Sequence, residues 1–203
     1  MPGWQQAIKR LLDIALSAVG LVTLAVPFGL IALAIKLDSP GPVFFRYPRL
    51  GRGGAQFVPL KFRTMVEGAV EQGLGTTLSE DDVRLTRVGV FLRGWALDEL
   101  PQLWNVLKGE MSLVGPRPTF AYQVERYSEF QRRRLEVKPG ITGWAQVNGR
   151  NEISWPERIE LDVWYVDHAR LWLDLKIVLK TLWLAYVVRR GIYGTDGVNP
   201  DFR

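Results

Sequence analysis

The chain has 203 residues, of which 47% are hydrophobic, and its formal net charge is +5. This length suits one catalytic domain with an appended element, and the hydrophobic share is enough to build a core. The absence of cysteine excludes a disulfide framework and a Cys-ligated metal, and the single histidine, His168, excludes a His-rich zinc site. Any metal must therefore be held mainly by oxygen ligands, which points to Mg²⁺ chemistry.

The first predicted element is the apolar segment Leu11 to Ile35. A straight helix of this length would extend about 38 Å, enough to cross a hydrocarbon core of about 30 Å, so a single spanning anchor is the ordinary interpretation. Two features favour a re-entrant helix-break-helix instead: Pro27 kinks the helix, and basic residues flank both ends, so that the positive-inside rule gives no direction. The same segment directs a basic chain towards a lipid bilayer and away from nucleic acid.

Ser39-Pro40-Gly41-Pro42 ends the membrane element, and a small β-hairpin follows. Its predicted strands cover residues 43–47 and 56–65, with a Gly-rich turn at 51–54. Lys61 and Arg63 share one face of the second strand, one strand repeat apart. Such a pair suits an anionic ligand, although a solvated face is the commoner explanation.

The rest of the chain is predicted to be mainly helical, which gives an α+β, mainly α fold. Residues 138–151 are Gly-rich and predicted to be irregular, and Trp residues spaced through the last two helices fit either a lipid–water interface or a core. The predicted helices cover residues 86–95, 98–108 with Gly109 as the stop, 128–135, 155–167 and 171–190.

Asp98 and Glu99 lie at a predicted helix N-terminus, where the helix dipole and free N–H groups stabilise anions. Asp98 could attack a phosphorus atom as a nucleophile, with Mg²⁺ to offset the repulsion between a carboxylate and a diphosphate. Taken alone, however, two acidic residues in a first turn are usually caps.

Four cations could bind a phosphorylated substrate near this acidic pair. Gly115-Pro116-Arg117-Pro118 presents Arg117 from a stiff loop, and a fixed guanidinium matches phosphate geometry. A Pro-rich loop is also compatible with a mere corner of the fold, and spacing alone does not show convergence. The candidate cations are Lys61, Arg63, Arg93 and Arg117.

The segment from Gly140 to Asn151 mixes glycines, a tryptophan and amide side chains, so it could stack on and hydrogen-bond a base. Gln146, Asn148 and Arg150 are its candidate nucleotide-binding residues. It contains no GxGxxG or Walker pattern, so neither a Rossmann nor a P-loop site is predicted.

Several motifs in order make the sequence resemble the bacterial sugar transferase family, the monotopic polyprenyl-phosphate phosphoglycosyl transferases, in its small form without extra membrane helices. The resemblance runs from Lys9 to about Tyr193. Its landmarks are Lys9-Arg10-Leu11-Leu12-Asp13, Ser39-Pro40-Gly41-Pro42-Val43-Phe44-Phe45, Lys61-Phe62-Arg63-Thr64-Met65, Leu97-Asp98-Glu99-Leu100-Pro101-Gln102-Leu103, Gly115-Pro116-Arg117-Pro118 and Lys138-Pro139-Gly140-Ile141-Thr142-Gly143.

The resemblance implies a ping-pong reaction between a UDP-sugar and a polyprenyl phosphate such as undecaprenyl phosphate. Asp98 matches the nucleophile and Glu99 the second acid of a magnesium-assisted dyad, while Arg93 and Arg117 match positions associated with phosphate binding. Pro27 matches the helix break, although Val26 stands where many relatives have serine. The implied location is the bacterial inner membrane, with the catalytic domain on the cytoplasmic face.

The expected organisation is a membrane-embedded re-entrant helix at 1–38, a catalytic domain with interfacial amphipathic helices at 39–193 and a tail at 194–203.

Two other functions use the same residues. A tethered binding protein would hold anionic lipid on its basic face without catalysis. A metal-dependent phosphohydrolase would release inorganic phosphate from a lipid diphosphate without needing a nucleotide sugar.

Overall fold

The computed structural model describes residues 1–69, 82–149 and 152–188, and within them the fold is mainly helical with three two-stranded sheets. The predicted tail at 194–203 and the end of the predicted catalytic domain lie outside the described residues. The helices are α1 (Gly3–Thr23), α2 (Ala25–Asp38), α3 (Arg87–Gly94), α4 (Leu103–Lys108), α5 (Ala121–Glu125), α6 (Glu129–Arg132), α7 (Trp144–Val147), α8 (Trp155–His168) and α9 (Leu171–Trp183). The strands are β1 (Phe44–Arg46), β2 (Arg49–Leu50), β3 (Gln56–Phe57), β4 (Leu60–Phe62), β5 (Ser112–Val114) and β6 (Gly140–Thr142).

The N-terminal helix pair is broken at Leu24, where the axes of α1 and α2 bend by 60°. The break predicted at Pro27 therefore lies three residues earlier, at Leu24, and the proline causes it. Pro27 has no N–H for the carbonyl of Thr23, and its ring clashes with that carbonyl in a continuous helix. In the described chain no helix alone has the length and apolarity to cross a bilayer, whereas the bent pair together meets both criteria.

Helix α1 buries polar residues and exposes apolar ones, the reverse of an ordinary surface helix. Asp13 and Ser17 are 4% and 0% exposed, while Val19 and Val22 are 60% and 77% exposed. The buried face packs on α4, where Gly20 approaches so closely that a Cβ atom there would lie 2.9 Å from Leu103 Cδ1. The outward face of α1 is therefore apolar.

Polar side chains at the start of α1 fasten it to the rest of the protein. Lys9 Nζ lies 2.6 Å from Asp174 Oδ2 and also donates to the Val114 carbonyl. Arg10 donates to the carbonyls of Val106 and Leu107 at 2.6 and 2.8 Å, which satisfies the last turn of α4. Asp13 Oδ1 accepts the N–H of Leu113 at 2.9 Å. Lys9, Arg10 and Asp13 thus form the docking contacts of α1.

The predicted β-hairpin is confirmed, in an interrupted form. Strand β1 pairs antiparallel with β4, with Phe44 opposite Phe62, and β2 pairs antiparallel with β3. The two ladders are separated at Pro48 and Pro59, because proline has no N–H to donate to a ladder. Gly51 begins the tight turn, donating its N–H to the Ala55 carbonyl at 2.8 Å.

Residues 138–149 of the segment predicted to be irregular are more ordered than expected, and its last two residues lie outside the described ranges. Strand β6 pairs parallel with β5, and α7 follows directly. The parallel pair is close-packed, since a Cβ atom on Gly140 would lie 2.1 Å from the backbone nitrogen of Gly115. The core behind it contains Val114, Tyr165 and Ile177.

Most predicted helix boundaries agree with the structure. Thr86 caps α3 by accepting the Gly89 N–H at 2.9 Å, and Gly109 ends α4 with φ 89°. The basic helix at 128–135 continues past α6 as a 3₁₀ segment, and the last helix becomes a π-helix at Leu184–Val188.

The outward side of α9 is apolar, which bears on the two interpretations of the tryptophans. Trp172, Leu175 and Leu179 recur at helical spacing and are 71%, 47% and 58% exposed. Trp183 is also exposed, whereas Trp164 stacks between Trp144 and His168. The tryptophans therefore divide between the exposed apolar face of α9 and a ring stack around Trp164, which is itself 38% exposed.

Arg63 lies just beyond β4 and joins the hairpin to the end of α2. Its Nε donates to the Pro42 carbonyl at 2.6 Å, and its Nη atoms donate to Ser39 Oγ and to the carbonyls of Ile35, Ser39 and Pro40. These bonds use all five guanidinium N–H groups, and Arg63 is 5% exposed. Four donors are taken by backbone carbonyls and one by Ser39 Oγ, which leaves none in this structure for the phosphate contact predicted for Arg63.

We expect Arg63→Ala to destabilise the protein by about 3 kcal/mol or more, because one buried and three partly buried carbonyls lose charge-assisted hydrogen bonds at once. Arg63→Lys should recover little of the loss, because an ammonium cannot reproduce the planar arrangement of donors. Thermal unfolding in detergent measures both, and Arg46→Ala, at an exposed position of β1, is the control. An Arg63→Ala protein with wild-type stability but impaired turnover would instead place Arg63 in substrate binding.

Candidate active site

The chain reverses direction just before the acidic pair and brings Asp98 beside β4. Helix α3 ends at Gly94, and Ala96 adopts φ 53°, a left-handed conformation that costs a residue with a Cβ about 1–2 kcal/mol. The Phe62 N–H then donates to the Asp98 carbonyl at 2.9 Å. This bond fixes Asp98 next to the strand that carries Lys61.

Glu99 accepts hydrogen bonds from two cations. Its Oε1 lies 2.5 Å from Lys61 Nζ and 2.7 Å from Arg117 Nη2, and its Oε2 lies 3.2 Å from Arg117 Nη1. Burial alone would raise the pKa of Glu99, but the charges of Arg117 and Lys61 outweigh it and hold that pKa well below its usual value. Glu99 is therefore anionic and makes no side-chain cap to the helix that follows.

Asp98 has the opposite environment. Its carboxylate accepts no hydrogen bond from any residue in the described ranges. Burial, and then the neighbouring Glu99 charge, raise the pKa of Asp98, while Lys61, Arg93 and Arg117 partly offset that rise. Asp98 thus keeps its oxygens available for a ligand, which an ordinary capping aspartate does not.

Arg93 and Arg117 approach the pair from two sides. Arg93 is in the last turn of α3, where its Nε donates to Thr64 Oγ1 at 2.8 Å, and its charge lowers the pKa of Asp98. The bidentate contact of Arg117 with Glu99 uses two of its five N–H groups. The structure therefore brings Lys61, Arg93 and Arg117 to the acidic pair and leaves Arg63 outside it.

A buried ion pair between Arg134 and Asp162 supports the Arg117 loop through the backbone of Arg117. Arg134 Nη2 lies 2.6 Å from Asp162 Oδ2 and donates to the Arg117 carbonyl at 3.0 Å, while Nη1 donates to the Tyr127 hydroxyl at 2.7 Å. Arg134 and Asp162 are 3% and 2% exposed. Their position indicates that they orient the loop and do not meet substrate.

Arg49 lies close to Arg117 and Glu99 and is not among the candidate residues predicted from the sequence. It lies on β2 with its Cζ 3.1 Å from the centroid of the Phe120 ring and 5.6 Å from that of Tyr47. Burial and the charge of Arg117 lower the pKa of Arg49 to about 9. The signal in the sequence is slight: Tyr47 and Arg49 share one face of an extended segment, but Phe120 is distant along the chain.

The predicted nucleotide-binding residues do not form an open loop. Gln146 Nε2 donates to the Ile141 carbonyl at 3.2 Å, and Asn148 Oδ1 accepts from Lys180 Nζ at 2.8 Å. Both lie in or next to α7, which packs against α8 and α9. Arg150 lies outside the described residues. Gln146 Oε1 is buried without a described partner, so Gln146 is the one of the two with an acceptor left for a ligand.

The acidic pair fits Mg²⁺ only in part. The described residues contain no group of three or more acidic, His or Cys side chains that could enclose a metal ion. Mg²⁺, however, is usually held by one or two carboxylates together with water and substrate phosphates. Asp98 has open oxygens, and one lone pair remains on Glu99 Oε2. The pair thus fits Mg²⁺ brought or completed by a phosphorylated substrate.

Comparison with known proteins finds that the bacterial sugar transferase family profile matches residues 4–188. The chain is 46% identical over 194 residues to the uncharacterized sugar transferase EpsL of Bacillus subtilis, covering 96% of this chain and 94% of that protein.

Two larger relatives carry named activities. The chain is 45% identical over 184 residues to the UDP-glucose:undecaprenyl-phosphate glucose-1-phosphate transferase of Xanthomonas campestris, covering 85% of this chain and 37% of that protein. It is 42% identical over 195 residues to the Escherichia coli protein of the same name, covering 92% and 42%. The chain therefore spans less than half the length of these two relatives.

We predict that Asp162→Asn will destabilise the protein by about 3–5 kcal/mol, because it leaves the Arg134 charge buried without its partner. Asp167→Asn is a matched control, since Asp167 pairs with Arg133 at the surface and its loss should cost under about 1 kcal/mol. Thermal unfolding of the two variants measures the difference. Equal shifts in Tm would show that burial of the Arg134 pair does not matter.

Proposed function

The chain belongs to the bacterial sugar transferase family, and we propose that it transfers a sugar 1-phosphate from a UDP-sugar to undecaprenyl phosphate or a similar polyprenyl phosphate, releasing UMP. The names of the larger relatives support this reaction class. Such a transfer is the first membrane step in the assembly of a bacterial glycan. The proposal includes a ping-pong mechanism with a covalent intermediate on Asp98.

The observation that carries the proposal is the difference between the two adjacent carboxylates. Glu99 is paired with Lys61 and Arg117, which lowers its basicity and occupies its oxygens. Asp98 accepts no hydrogen bond within the described chain, and its raised pKa makes its anion the more basic of the two. An unpaired, basic carboxylate surrounded by cations is suited to attack a phosphorus atom.

In the first half-reaction, an Asp98 oxygen attacks the β-phosphorus of the UDP-sugar. A bond forms between this oxygen and phosphorus, and the bond from phosphorus to the bridging oxygen breaks. The bridging oxygen departs with the α-phosphate as UMP, leaving the sugar phosphate on Asp98. Arg93 and Arg117 are placed to stabilise charge on the phosphate oxygens, as guanidinium groups do in phosphoryl transfer.

Asp98 and the free side of Glu99, together with the substrate diphosphate, are the groups that would hold Mg²⁺. When bound, the ion neutralises charge on the diphosphate that would otherwise repel the attacking carboxylate. Lys61 and Arg117 hold Glu99 in place for this role. Because their contacts already use most of its oxygen lone pairs, Glu99 assists and does not attack.

In the second half-reaction, a phosphate oxygen of the polyprenyl phosphate attacks the same phosphorus atom. The bond to Asp98 breaks, and the carboxylate is regenerated as the polyprenyl diphosphate sugar forms. No group other than Asp98 has to change its covalent state, so one described carboxylate is sufficient for both transfers.

The proposed location is the bacterial inner membrane, with α1 and α2 re-entrant and the catalytic domain on the cytoplasmic face. The support is the apolar outward face of α1 and α2, where Val22, Val26 and Leu37 are 77%, 73% and 79% exposed. The exposed apolar side of α9 would rest on the same interface. A lipid substrate requires an active site close to this interface.

The covalent mechanism predicts that the enzyme releases UMP from a suitable UDP-sugar before any lipid is added, up to one equivalent of enzyme. The peptide that contains Asp98 should gain the mass of the sugar phosphate. Asp98→Asn should abolish both signals, because an amide is a poor nucleophile. Asp167→Asn, which removes a surface carboxylate, should leave both unchanged.

The same incubations, repeated with polyprenyl phosphate, separate the alternatives. A fully active enzyme that gives neither a UMP burst nor an adduct without lipid would replace the covalent route by direct transfer in a ternary complex. Release of inorganic phosphate without a nucleotide sugar would indicate a phosphohydrolase. A binding protein would produce no UMP under any condition.

The re-entrant arrangement predicts that cysteines at Gly3 and Arg52 react with an impermeant maleimide from the same, cytoplasmic side. The chain has no native cysteine, and a Cβ at Gly3 meets no atom within 4 Å, so the labels should not disturb the fold. A cysteine at Val26, beside the bend, should be protected from both sides. Labelling of Gly3→Cys and Arg52→Cys from opposite sides would establish a spanning helix.

A further inference from the structure

Backbone pairing places Arg49 beside the Arg117 loop. Strand β2 lies next to residue 119, where the Leu50 N–H donates to the Thr119 carbonyl at 2.9 Å. Arg49 therefore lies alongside the chain between Arg117 and Phe120. Its charge and that of Arg117 are close enough to affect each other.

Arg49 is held by aromatic rings, although a partly buried arginine is usually held by a carboxylate. Its guanidinium stacks on Phe120, whose ring centroid is 5.6 Å from that of Tyr47 and 5.1 Å from that of Tyr122. Within the described ranges, no carboxylate pairs with Arg49 and no acceptor takes a hydrogen bond from its side chain. Stacking on a ring face stabilises the cation but leaves the N–H edge of the guanidinium unused.

A half-buried guanidinium with unused donors next to a second guanidinium is the arrangement that binds a phosphate. Arg117 contributes in the same way, because its bidentate contact with Glu99 leaves three N–H groups for another acceptor. The aromatic rings do not neutralise the charge of Arg49, whereas an anion between Arg49 and Arg117 would offset the repulsion between the two guanidinium groups. Both residues therefore favour an anionic ligand at this point.

Resting on the function proposed above, we infer that Arg49 and Arg117 form a subsite for the phosphate that is not transferred: the α-phosphate of the nucleotide in the first half-reaction and the phosphate of the lipid in the second. The first transfer breaks the bond between the β-phosphorus and an oxygen of the α-phosphate. The second forms the corresponding bond to an oxygen of the lipid phosphate. Because the second step retraces the first with a new partner, the departing and entering phosphates share one position.

Phe120 and Tyr47 position Arg49 in this subsite and do not touch the reacting atoms. A guanidinium on a flexible side chain would have to be ordered each time a ligand binds, whereas a stacked one is already oriented. Phe120→Leu should therefore weaken the subsite less than loss of Arg49 itself.

The test compares Arg49→Ala, Arg49→Lys and Phe120→Leu with Arg52→Ala, which removes an exposed arginine from the neighbouring turn. Calorimetric binding of UMP in detergent should weaken at least about tenfold in Arg49→Ala, as expected for a lost charge-assisted contact, and by less in Arg49→Lys and Phe120→Leu. Arg52→Ala should bind UMP as the wild type does. Thermal unfolding of each variant confirms that the fold is retained, and Arg49→Lys serves if Arg49→Ala is unstable.

Single-turnover rates complete the test. In Arg49→Ala, both the UMP burst and the transfer of sugar phosphate from the preformed adduct to polyprenyl phosphate should slow. The second step contains no nucleotide, so its slowing identifies a phosphate contact and not a nucleoside contact. An effect on the burst alone would overturn the shared subsite, as would UMP binding equal to that of Arg52→Ala.

Failure of this inference is distinct from failure of the proposed function. If the wild type releases no UMP from any UDP-sugar and forms no lipid-linked product, the proposed function is wrong, and the inference that rests on it falls as well. If the wild type forms the lipid-linked product but Arg49→Ala matches Arg52→Ala in binding and in both rates, only the subsite is wrong.

Discussion

The salt bridges from Lys61 and Arg117 to Glu99 are the contacts on which the arrangement of the site depends. They join the hairpin, the turn before α4 and the Pro-Arg-Pro loop, three segments that are far apart in sequence. They also settle the ionisation of the acidic pair. Two adjacent carboxylates in a buried site repel each other, and here the cations stabilise the charge of Glu99, while Asp98 has no direct partner in the part of the chain that the structure describes. The chemical difference between two neighbouring acids follows from which of them the cations reach.

Two other sets of hydrogen bonds connect the site to the helix pair. The segment that carries Asp98 and Glu99 continues into α4, and Arg10 of α1 closes the other end of α4 by binding its last carbonyls. Arg63 follows β4 directly and closes the end of α2. The bent pair is thus bonded to α4, which follows the acidic pair, and to the end of β4, which carries Lys61. A displacement of α1 or α2 would move α4 or β4, so the position of the helix pair and the geometry of the acids are coupled.

What could be predicted from the sequence were the features that local chemistry determines. The helix stop at Gly109 and the end of the membrane element at Ser39-Pro40-Gly41-Pro42 each depend on a few neighbouring residues. The role of Arg63 could not be predicted, because strand alternation places it with Lys61 while the strand ends at Phe62 and its donors turn to distant carbonyls. The segment 138–151 was misjudged because its glycines permit close packing of β6 on Gly115, a contact set by tertiary structure. Arg49 was missed because its ring partner Phe120 comes from another part of the chain.

Charge balance explains why the site leaves Asp98 unpaired. Lys61, Arg93, Arg117 and Arg49 outnumber the two carboxylates, and the excess positive charge is half-buried, where it is costly unless an anion offsets it. Arg134, by contrast, is paired with the Asp162 carboxylate, and Arg63 donates to four carbonyls and to Ser39 Oγ. A diphosphate carries negative charge on each phosphate and so complements the excess. If Asp98 were ion-paired as Glu99 is, one of these cations would be spent on a protein carboxylate and the attacking oxygen would be covered. Asp98 and Arg49, which have no ion-pair partner among the described residues, are therefore two parts of one arrangement that an anionic ligand would complete.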